Sequence, residues 1–456
     1  MRSEVLLRNP RKTGTAASES RTTPQNGCAL GAPRKGQRVP LPVSGHASVP
    51  FPLLRWLAVS VFVISSTLNY IDRALLSTLA PLLMAEMHLT QVRFGFLISA
   101  FSIAYAASSL FAGWFLDRVG VTSGICGAVA WWSAAAISTA FTRNLAGLAC
   151  ARAALGIGES AGVPAAGKLN GLYLEPSERA LGAALNQVGL SLGLALAPLS
   201  IGIAQAYGWR IPFIFTGALG FLWIPLWIAL SRAIRPKYAD QEFEVHSSSS
   251  WAILLDRRLA VLVFANVLWM GSYSLWSNWT TLYLVKVHGL TLVQTARFVW
   301  IPPLVSNIGG FFGGWLSLKW IEHGNHPVAA RRRAIWVSAA GSLFTLLLPL
   351  APDARWATAI ISVSFFFALA GSVNIYALPI DIFGPARSGL AIAALTCAFG
   401  ILQTVISPVV GYLGDHRLYQ QVVWLVTLPL LAGGLVLQLL KLTPEEYQNA
   451  SNRAAS

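Results

Sequence analysis

Four ionisable side chains lie inside stretches of the sequence that are otherwise apolar. Asp72 and Arg73 are adjacent in the first long apolar stretch, and Arg152 and Glu159 lie in a later one. A charged residue near the centre of a bilayer costs about 2.5–3.5 kcal/mol on the insertion scale, so such residues usually pair or face a water-filled cavity. Arg152 and Glu159 are two helical turns apart, which places them on one helix face about 10 Å apart along the axis.

The types of these side chains indicate anion recognition and proton transfer. A guanidinium presents a planar pair of donors that matches a carboxylate. Asp72 and Glu159 are the proton-carrying candidates, because the other acidic residues fall in tails, in loops or at the ends of apolar stretches. The two arginines therefore favour an anionic substrate, and, if transport is coupled to protons, Asp72 and Glu159 are the candidates for the relay. The alternative is that the four residues form structural ion pairs that hold helices together.

The elements that must position these residues are membrane-spanning helices. The chain has 456 residues, of which 55% are hydrophobic and 11% charged, whereas a soluble domain carries about 25% charged residues. Many stretches exceed the roughly 18 apolar residues that a spanning helix needs. This composition excludes an ordinary soluble enzyme and predicts an all-α polytopic membrane protein. The twelve predicted spans run roughly over 54–84, 95–115, 123–142, 145–168, 181–206, 210–231, 259–285, 291–318, 334–351, 356–381, 388–413 and 421–440.

An internal repeat divides these spans into two six-helix halves. The run Gly-Trp-Phe-Leu-Asp-Arg at 113–118 is echoed by Gly-Gly-Trp-Leu-Ser-Leu at 313–318. Two similar halves predict a pseudo-twofold transporter whose site lies between them near the midplane. The predicted domains are a disordered basic cytoplasmic tail, a first six-helix bundle, a cytoplasmic linker, a second six-helix bundle and a C-terminal cytoplasmic tail, over residues 1–53, 54–231, 232–258, 259–440 and 441–456.

The distribution of basic residues predicts the orientation in the membrane. The net charge is +15, and most Lys and Arg fall in the tails and in the loops on one side of the predicted spans. Such residues are retained on the cytoplasmic side, which places both termini there and accounts for the charge without nucleic acid. For residues 1–50, a misassigned start is the alternative to a tail. The absence of eukaryotic sorting signals favours a bacterial inner (plasma) membrane.

The motifs around the charged residues resemble known transporters. Gly113–Arg118 followed by Gly120 resembles the loop signature of the major facilitator superfamily, a gating element on the cytoplasmic face. Asn69-Tyr-Ile-Asp-Arg73 and Arg152-Ala-Ala-Leu-Gly-Ile-Gly-Glu159 resemble the anion:cation symporter family. That family includes bacterial galactonate, hexuronate, glucarate and phthalate carriers.

The resemblance implies a role for each matching residue. Arg73 is expected to grip the substrate carboxylate, Asp72 and Glu159 to take up protons, and Arg152 to tune Glu159. The cytoplasmic gate is expected at Gly113, Asp117 and Arg118. Substrate contacts are predicted in both halves of the chain, and those after span 2 are polar residues of spans 5, 7, 10 and 11. The predicted contacts are Tyr70, Tyr105, Gln187, Trp276, Asn278, Asn374, Tyr376 and Thr396. For the Asn374 and span 5 side chains, helix–helix packing is the alternative.

Together these observations predict proton-coupled uptake of a small organic anion, such as a sugar acid or another carboxylate, by alternating access. The expected partners are the anion, protons and the lipid bilayer, and the superfamily implies a monomer. We expect no cofactor and no metal site, because the sequence has no paired-Cys motif and no His/Asp/Glu/Cys cluster near the spans, which also argues against an enzyme. The alternatives are an anion exchanger, a sodium-coupled carrier, or a non-transporting membrane sensor.

Overall fold

The computed structural model describes residues 52–174, 178–234 and 251–440. The predicted N-terminal tail up to residue 51, the middle of the predicted linker at 235–250 and the C-terminal tail at 441–456 lie outside the described residues. At the edges of the predicted linker, one helix continues to Ile234 and a 3-10 helix covers Trp251–Leu255.

The described part of the chain is almost entirely helical. Its α-helices are α1 (Pro52–Thr78), α2 (Ala80–Glu86), α3 (Gln91–Val119), α4 (Val121–Ala140), α5 (Leu145–Glu159), α6 (Gly162–Tyr173), α7 (Arg179–Leu196), α8 (Ser200–Tyr207), α9 (Arg210–Ile234), α10 (Arg257–His288), α11 (Leu292–Ala296), α12 (Ile301–Glu322), α13 (Pro327–Ser342), α14 (Ala354–Phe383), α15 (Pro385–Asp415) and α16 (Tyr419–Val436).

Within the described residues, ten helical segments are long and apolar enough to cross a membrane. The two predicted spans outside that set are also helical. The span at 145–168 consists of α5 and α6, which are separated by a turn at Ser160 and Ala161. Pro164 lies in the first turn of α6. Because proline has no backbone N–H, it cannot donate the hydrogen bond that a continuous helix would need at this position. The span at 291–318 contains α12, whose glycines and polar residues lower its mean hydropathy. The arrangement agrees with the predicted twelve-helix fold.

Small residues set the closest helix contacts. Gly120, at φ +85°, is the single residue between α3 and α4, and this left-handed conformation favours glycine.

In the C-terminal half, α12 packs along α14, where a Cβ added at Gly309 or Gly313 would collide with the α14 backbone. Such backbone-to-backbone approach is typical of helices packed in a membrane.

The two halves meet along α3 and α15, along α1 and α10, and along α7 and α12. The Ser99 hydroxyl donates to the Thr404 carbonyl at 2.6 Å, and the Ser77 hydroxyl donates to Asn278 Oδ1 at 3.3 Å. We call the end of the bundle at which α3 begins and α15 ends the outer end, following the predicted orientation, and the opposite end the inner end. These contacts lie between mid-height and the outer end.

Candidate functional site

The predicted charged residues converge where α1, α3 and α5 meet. Arg73 of α1 binds Glu159 at the end of α5 with both donors of its fork on one oxygen. Nη2 donates to Glu159 Oε2 at 2.9 Å and Nε donates to the same atom at 3.1 Å. The Glu159 side chain is completely buried, whereas 23% of the Arg73 side chain is exposed. The arginine of this pair is therefore the accessible partner.

Three aromatic rings surround the Arg73 guanidinium. Its central carbon lies 4.7 Å from the ring centre of Tyr70 and 4.8 Å from those of Phe101 and Tyr105. Rings at this distance attract a cation through their electron-rich faces. They also restrict the guanidinium to one position. Tyr70 and Tyr105 were predicted at the site; Phe101 was not, although it lies one helical turn before Tyr105 on α3 and stacks on it.

Arg152 binds the backbone of α1. Its Nη1 donates to the Asp72 carbonyl at 3.3 Å and its Nη2 donates to the Arg73 carbonyl at 3.5 Å. Its guanidinium also lies 5.1 Å from the Phe101 ring. Arg152 and Glu159 share α5, as predicted, but the ion-pair partner of Glu159 is Arg73. Arg152 therefore positions the helix segment that carries Asp72 and Arg73.

Asp72 faces away from Arg73 and towards α9. It is only 1% exposed, and the Thr216 hydroxyl of α9 lies beside its carboxylate. Neither carboxylate oxygen accepts a hydrogen bond of normal geometry from the residues that the structure describes. With Asp72, Arg73, Arg152 and Glu159 all ionised, the cluster has no net charge. Each proton added to a carboxylate then leaves one positive charge for an anion to balance.

A central cavity lies between the two halves beside this cluster, with about 520 Å³ of empty space when the part open to solvent is included. From the N-terminal half it is lined by Tyr70, Arg73, Ser77, Phe101 and Arg152, and from the C-terminal half by Tyr273, Ser277, Asn278, Phe399 and Gln403. It thus has a cationic, aromatic wall opposite a polar, uncharged wall. Of the predicted contacts in the C-terminal half, Asn278 lines this cavity.

Four residues of the polar wall were not predicted from the sequence. Tyr273 and Ser277 are four residues apart on α10, a spacing that puts them on one face, and Gln403 is a polar residue inside an apolar helix. Those signals were available in the sequence. Phe399 carries no such signal, because an aromatic residue in a membrane helix usually faces lipid or the core.

Two predicted substrate contacts make their hydrogen bonds within the C-terminal half, and Trp276 also lines a neighbouring cavity between the halves with Ser77 and Asn278. The indole N–H of Trp276 donates to Ser364 Oγ at 2.7 Å, and the residue is 4% exposed. The Asn374 amide donates to the Gly313 carbonyl at 2.9 Å and to the Ala370 carbonyl at 3.0 Å. Both side chains hold helices together in this structure and do not line the central cavity.

The remaining predicted contacts, Tyr376, Thr396 and Gln187, are not among the residues that line the central cavity. The Tyr376 hydroxyl approaches Thr396 of α15 and Asn266 of α10, so Tyr376 and Thr396 lie together. Gln187 is exposed on α7, one turn inward of Ser191, which donates to Asn307 of α12. Its neighbour Asn186 is the span 5 residue that faces the charged cluster.

The predicted cytoplasmic gate lies at the inner end of α3. The Lys168 ammonium donates to the Gly113 carbonyl at 3.2 Å, which ties α6 to α3. Arg118 is exposed, and its guanidinium lies 4.8 Å from the Trp114 ring. The backbone of Asp117 belongs to α3, while its side chain lies outside the described part of the structure.

Residues 52–174, 178–234 and 251–440 contain no group of three His, Cys, Asp or Glu side chains that could hold a metal ion. The charged cluster joins arginines to carboxylates, and guanidinium and carboxylate groups are chemically able to bind anions and to take up protons, respectively. It offers no nucleophile paired with a base.

Comparisons with known proteins agree with the predicted resemblance. The sequence profile of the Major Facilitator Superfamily matches residues 62–377. The chain is 26% identical to the hexuronate transporter of Escherichia coli over 79% of this chain and 88% of that protein. It is 28% identical to a probable sulfoacetate transporter of Cupriavidus necator over 79% of this chain and 87% of that protein.

A solved structure shares the fold. A bacterial homologue of the human lysosomal transporter Spinster, solved in an inward-facing, unoccupied conformation, superposes with a TM-score of 0.66 at 17% identity and covers 88% of this chain and 98% of its own. The helical bundle, the family profile and the transporter relatives lead to one conclusion: the chain belongs to the Major Facilitator Superfamily and is a multi-pass membrane transporter, not an enzyme.

Proposed function

We propose that this transporter takes up a small organic anion together with protons. The observation that carries the proposal is the Arg73–Glu159 pair, in which the partly exposed arginine faces the cavity between the halves. The relatives named for hexuronate and sulfoacetate support an organic acid as the substrate. The polar residues opposite Arg73 suit a substrate that carries hydroxyl groups beside its acid.

The coupling follows from competition for one guanidinium. A substrate carboxylate that binds the Arg73 fork must displace Glu159, and an ionised Glu159 without Arg73 would be a buried charge without its partner, which is strongly unfavourable. Protonation of Glu159 removes that charge. The anion and the proton therefore enter together, and Arg73 binds the anion. Asp72 takes up a second proton on the side of α1 that faces α9.

The neutralised site then permits alternating access. The two halves, at 54–231 and 259–440 with the linker 232–258, rock about the cavity, and the gate at Gly113, Asp117 and Arg118 closes the inner end. We place both termini in the cytoplasm of a bacterial inner membrane, with the protein acting as a monomer. Tyr70, Asn278 and Gln187 contact the substrate or its path, and Tyr105 contacts the Arg73 guanidinium that binds the substrate.

Uptake into proteoliposomes tests this proposal. Glucuronate, galacturonate and sulfoacetate serve as probes with glucose as the neutral control, with and without an inward proton gradient. We expect uphill uptake of an acid, accompanied by proton entry. Arg73→Lys should abolish binding, since an ammonium lacks the bidentate fork, and Glu159→Gln should abolish uphill uptake.

Matched controls come from an ion pair that is more exposed than Arg73–Glu159. Arg210 binds Glu86 near the outer surface, so Arg210→Lys and Glu86→Gln should leave uptake unchanged. Uptake that needs sodium, or that proceeds only in exchange for internal substrate, would contradict proton symport and identify a sodium-coupled carrier or an exchanger. An acid that binds equally well to the Arg73 variant would overturn the anion site, and a protein that transports none of a wide panel of carboxylates would point to a sensor.

A further inference from the structure

A second cavity lies inside the N-terminal half, on the other side of the Arg73–Glu159 pair. The empty space there, including the part open to solvent, is about 340 Å³, and it lies among α1, α3, α4, α5, α6 and α7. Ser66, Asn69, Glu159, Gly162 and Asn186 are among its lining residues. Arg73 and Tyr70 line both this cavity and the central one, so they separate the two spaces.

Three residues that line this cavity carry a buried polar atom without a hydrogen-bond partner among the described residues: Glu159 Oε1, Asn69 Nδ2 and Trp132 Nε1. Arg73 occupies Glu159 Oε2, and the other oxygen, Oε1, has none. The Asn69 amide nitrogen also has none, although Asn69 is only 6% exposed. Buried polar atoms are normally satisfied by protein or by ordered water. A polar cavity between an acceptor and a donor is therefore suited to water.

The cavity extends from Glu159 towards the inner end. Along α1 its lining runs from Arg73 back to Phe62, about 16 Å at 1.5 Å per residue. Between them the Ser66 hydroxyl donates to Asn186 Oδ1 at 2.6 Å. Val163, which is 56% exposed, lies at its margin. Polar groups thus lead from the buried carboxylate towards the side where α1 begins.

We propose that this cavity holds the water through which Glu159 exchanges its proton with the inner side, on a route separate from the path of the substrate. The inference rests on the proposed proton coupling. In the release step, the O–H bond at Glu159 Oε1 breaks and the proton passes to a water beside Asn69. Water near Ser66 and Asn186 carries a proton on to the inner solution, and the ionised Glu159 pairs with Arg73 through Oε2.

This division keeps the proton and the anion apart. The anion leaves through the central cavity between the halves, while the proton leaves through the N-terminal half. The charged and titratable groups near Glu159 are Arg73, Asp72 and the phenol Tyr70 on α1, Arg152 on its own helix, and Tyr105 on α3. Formation of the Arg73–Glu159 pair thus follows proton release and favours departure of the anion.

One glycine provides a selective probe of the route. A Cβ added at Gly162 would lie 4.0 Å from the Asn69 amide nitrogen, an ordinary contact that the fold accommodates. The methyl group would occupy the space beside that nitrogen. Gly167 lies on the same helix, and a Cβ there meets nothing within 4 Å. Gly167→Ala is therefore the matched control for Gly162→Ala, and Gly162→Leu fills more of the cavity.

The experiment measures substrate-driven proton entry and substrate counterflow in proteoliposomes, with an internal pH dye and labelled substrate. Counterflow exchanges bound substrate and needs no net proton release. We expect Gly162→Ala and Gly162→Leu to slow proton entry and net uptake by about tenfold, less than the roughly 10²–10⁴-fold effect of removing a general acid or base. Counterflow should stay unchanged, and Gly167→Ala should behave as the wild type.

Wild-type proton entry in both Gly162 variants would overturn the inference and assign the proton to the central cavity. Equal loss of counterflow and proton entry in Gly162→Ala would also overturn it, since the substrate would then share the route. Should Gly162→Leu fail to fold, Gly162→Ala and Asn69→Ala decide the question. A wild-type protein that moves substrate without protons would instead refute the proposed coupling itself.

Discussion

Asp415, the last residue of α15, caps the first turn of α3 from the opposite half of the chain. Its Oδ1 accepts the Gln91 amide at 2.8 Å and its Oδ2 accepts the Val92 amide at 3.1 Å. A helix N-terminus carries partial positive charge, so a carboxylate there is stabilising. Gly411 permits the approach, because a Cβ at that position would collide with the Gln91 backbone. This contact holds the outer end closed.

We expect Asp415→Ala to shift the transporter towards an outward-open form. The lost interaction is worth up to about 2 kcal/mol, which corresponds to a change of up to about thirtyfold in the ratio of closed to open forms. Spin labels at Ala85 and Gln420, both exposed at the outer end, should report longer distances in the variant.

Asp353→Ala is the control for this prediction. Asp353 also caps a helix, since it accepts the Arg355 and Trp356 amides, but donor and acceptor belong to the same half. Its loss should leave the spin-label distances at the outer end unchanged. An identical distance distribution in both variants would mean that Asp415 does not hold the halves together.

Glu159→Gln should tighten substrate binding at neutral pH and remove its pH dependence. In the wild type, the ionised Glu159 competes with the anion for Arg73, and protonation at lower pH ends that competition, so the affinity should rise as the pH falls. A neutral glutamine side chain at this position cannot form the ion pair. Because a hydrogen bond to a charged group contributes about 1.5–3 kcal/mol, we expect about a tenfold gain in affinity at pH 7.5.

Isothermal titration of purified wild type and Glu159→Gln at pH 5.5 and 7.5 checks this prediction. The variant should bind equally well at both values and should fail to concentrate substrate against a gradient. A variant that still binds more tightly at pH 5.5 would place the responsible proton elsewhere, with Asp72→Asn as the next variant to measure.

The sequence predicted the charged cluster because a membrane makes unpaired charge costly. Four ionisable residues in apolar spans could scarcely lie apart, and Asp72, Arg73, Arg152 and Glu159 do converge. Their pairing was beyond sequence reasoning. Helical periodicity relates residues on one helix, such as Arg152 and Glu159, but distances between α1 and α5 depend on how the helices pack.

The polar residues of the C-terminal half show the same limit. A polar side chain in a membrane helix satisfies its hydrogen bonds either in a cavity or against a neighbouring helix. Trp276 and Asn374 do the latter, whereas Asn278 lines the central cavity. The apolar composition predicts the helices, but it does not identify the face of each that turns inward.

We expect Trp276→Phe to reduce stability without changing the substrate KM. The substitution removes the hydrogen bond to Ser364, a loss of about 0.5–1.5 kcal/mol. Ser364 keeps its hydrogen bond with Thr345 at 2.7 Å, so no buried hydroxyl is left alone. Thermal unfolding and uptake kinetics measure the two effects. Gln403→Ala should show the opposite pattern, a raised KM with little loss of stability. A raised KM for Trp276→Phe would support the predicted contact between Trp276 and the substrate.

Gly313 and Gly314 provide a last test, of how α12 packs on α14. A Cβ at Gly313 would collide with the Ala370 carbonyl, whereas a Cβ at Gly314 meets nothing within 4 Å. Gly313→Ala should therefore destabilise the protein by about 1–3 kcal/mol through overpacking, and it disturbs the carbonyl that Asn374 binds. Gly314→Ala should be neutral or stabilising by about 0.4–1 kcal/mol, because alanine has less freedom to lose on folding. Unfolding temperatures of the two variants in one detergent measure the difference. Equal temperatures would mean that α12 and α14 do not pack this closely, and would return Asn374 to the candidates for substrate contact.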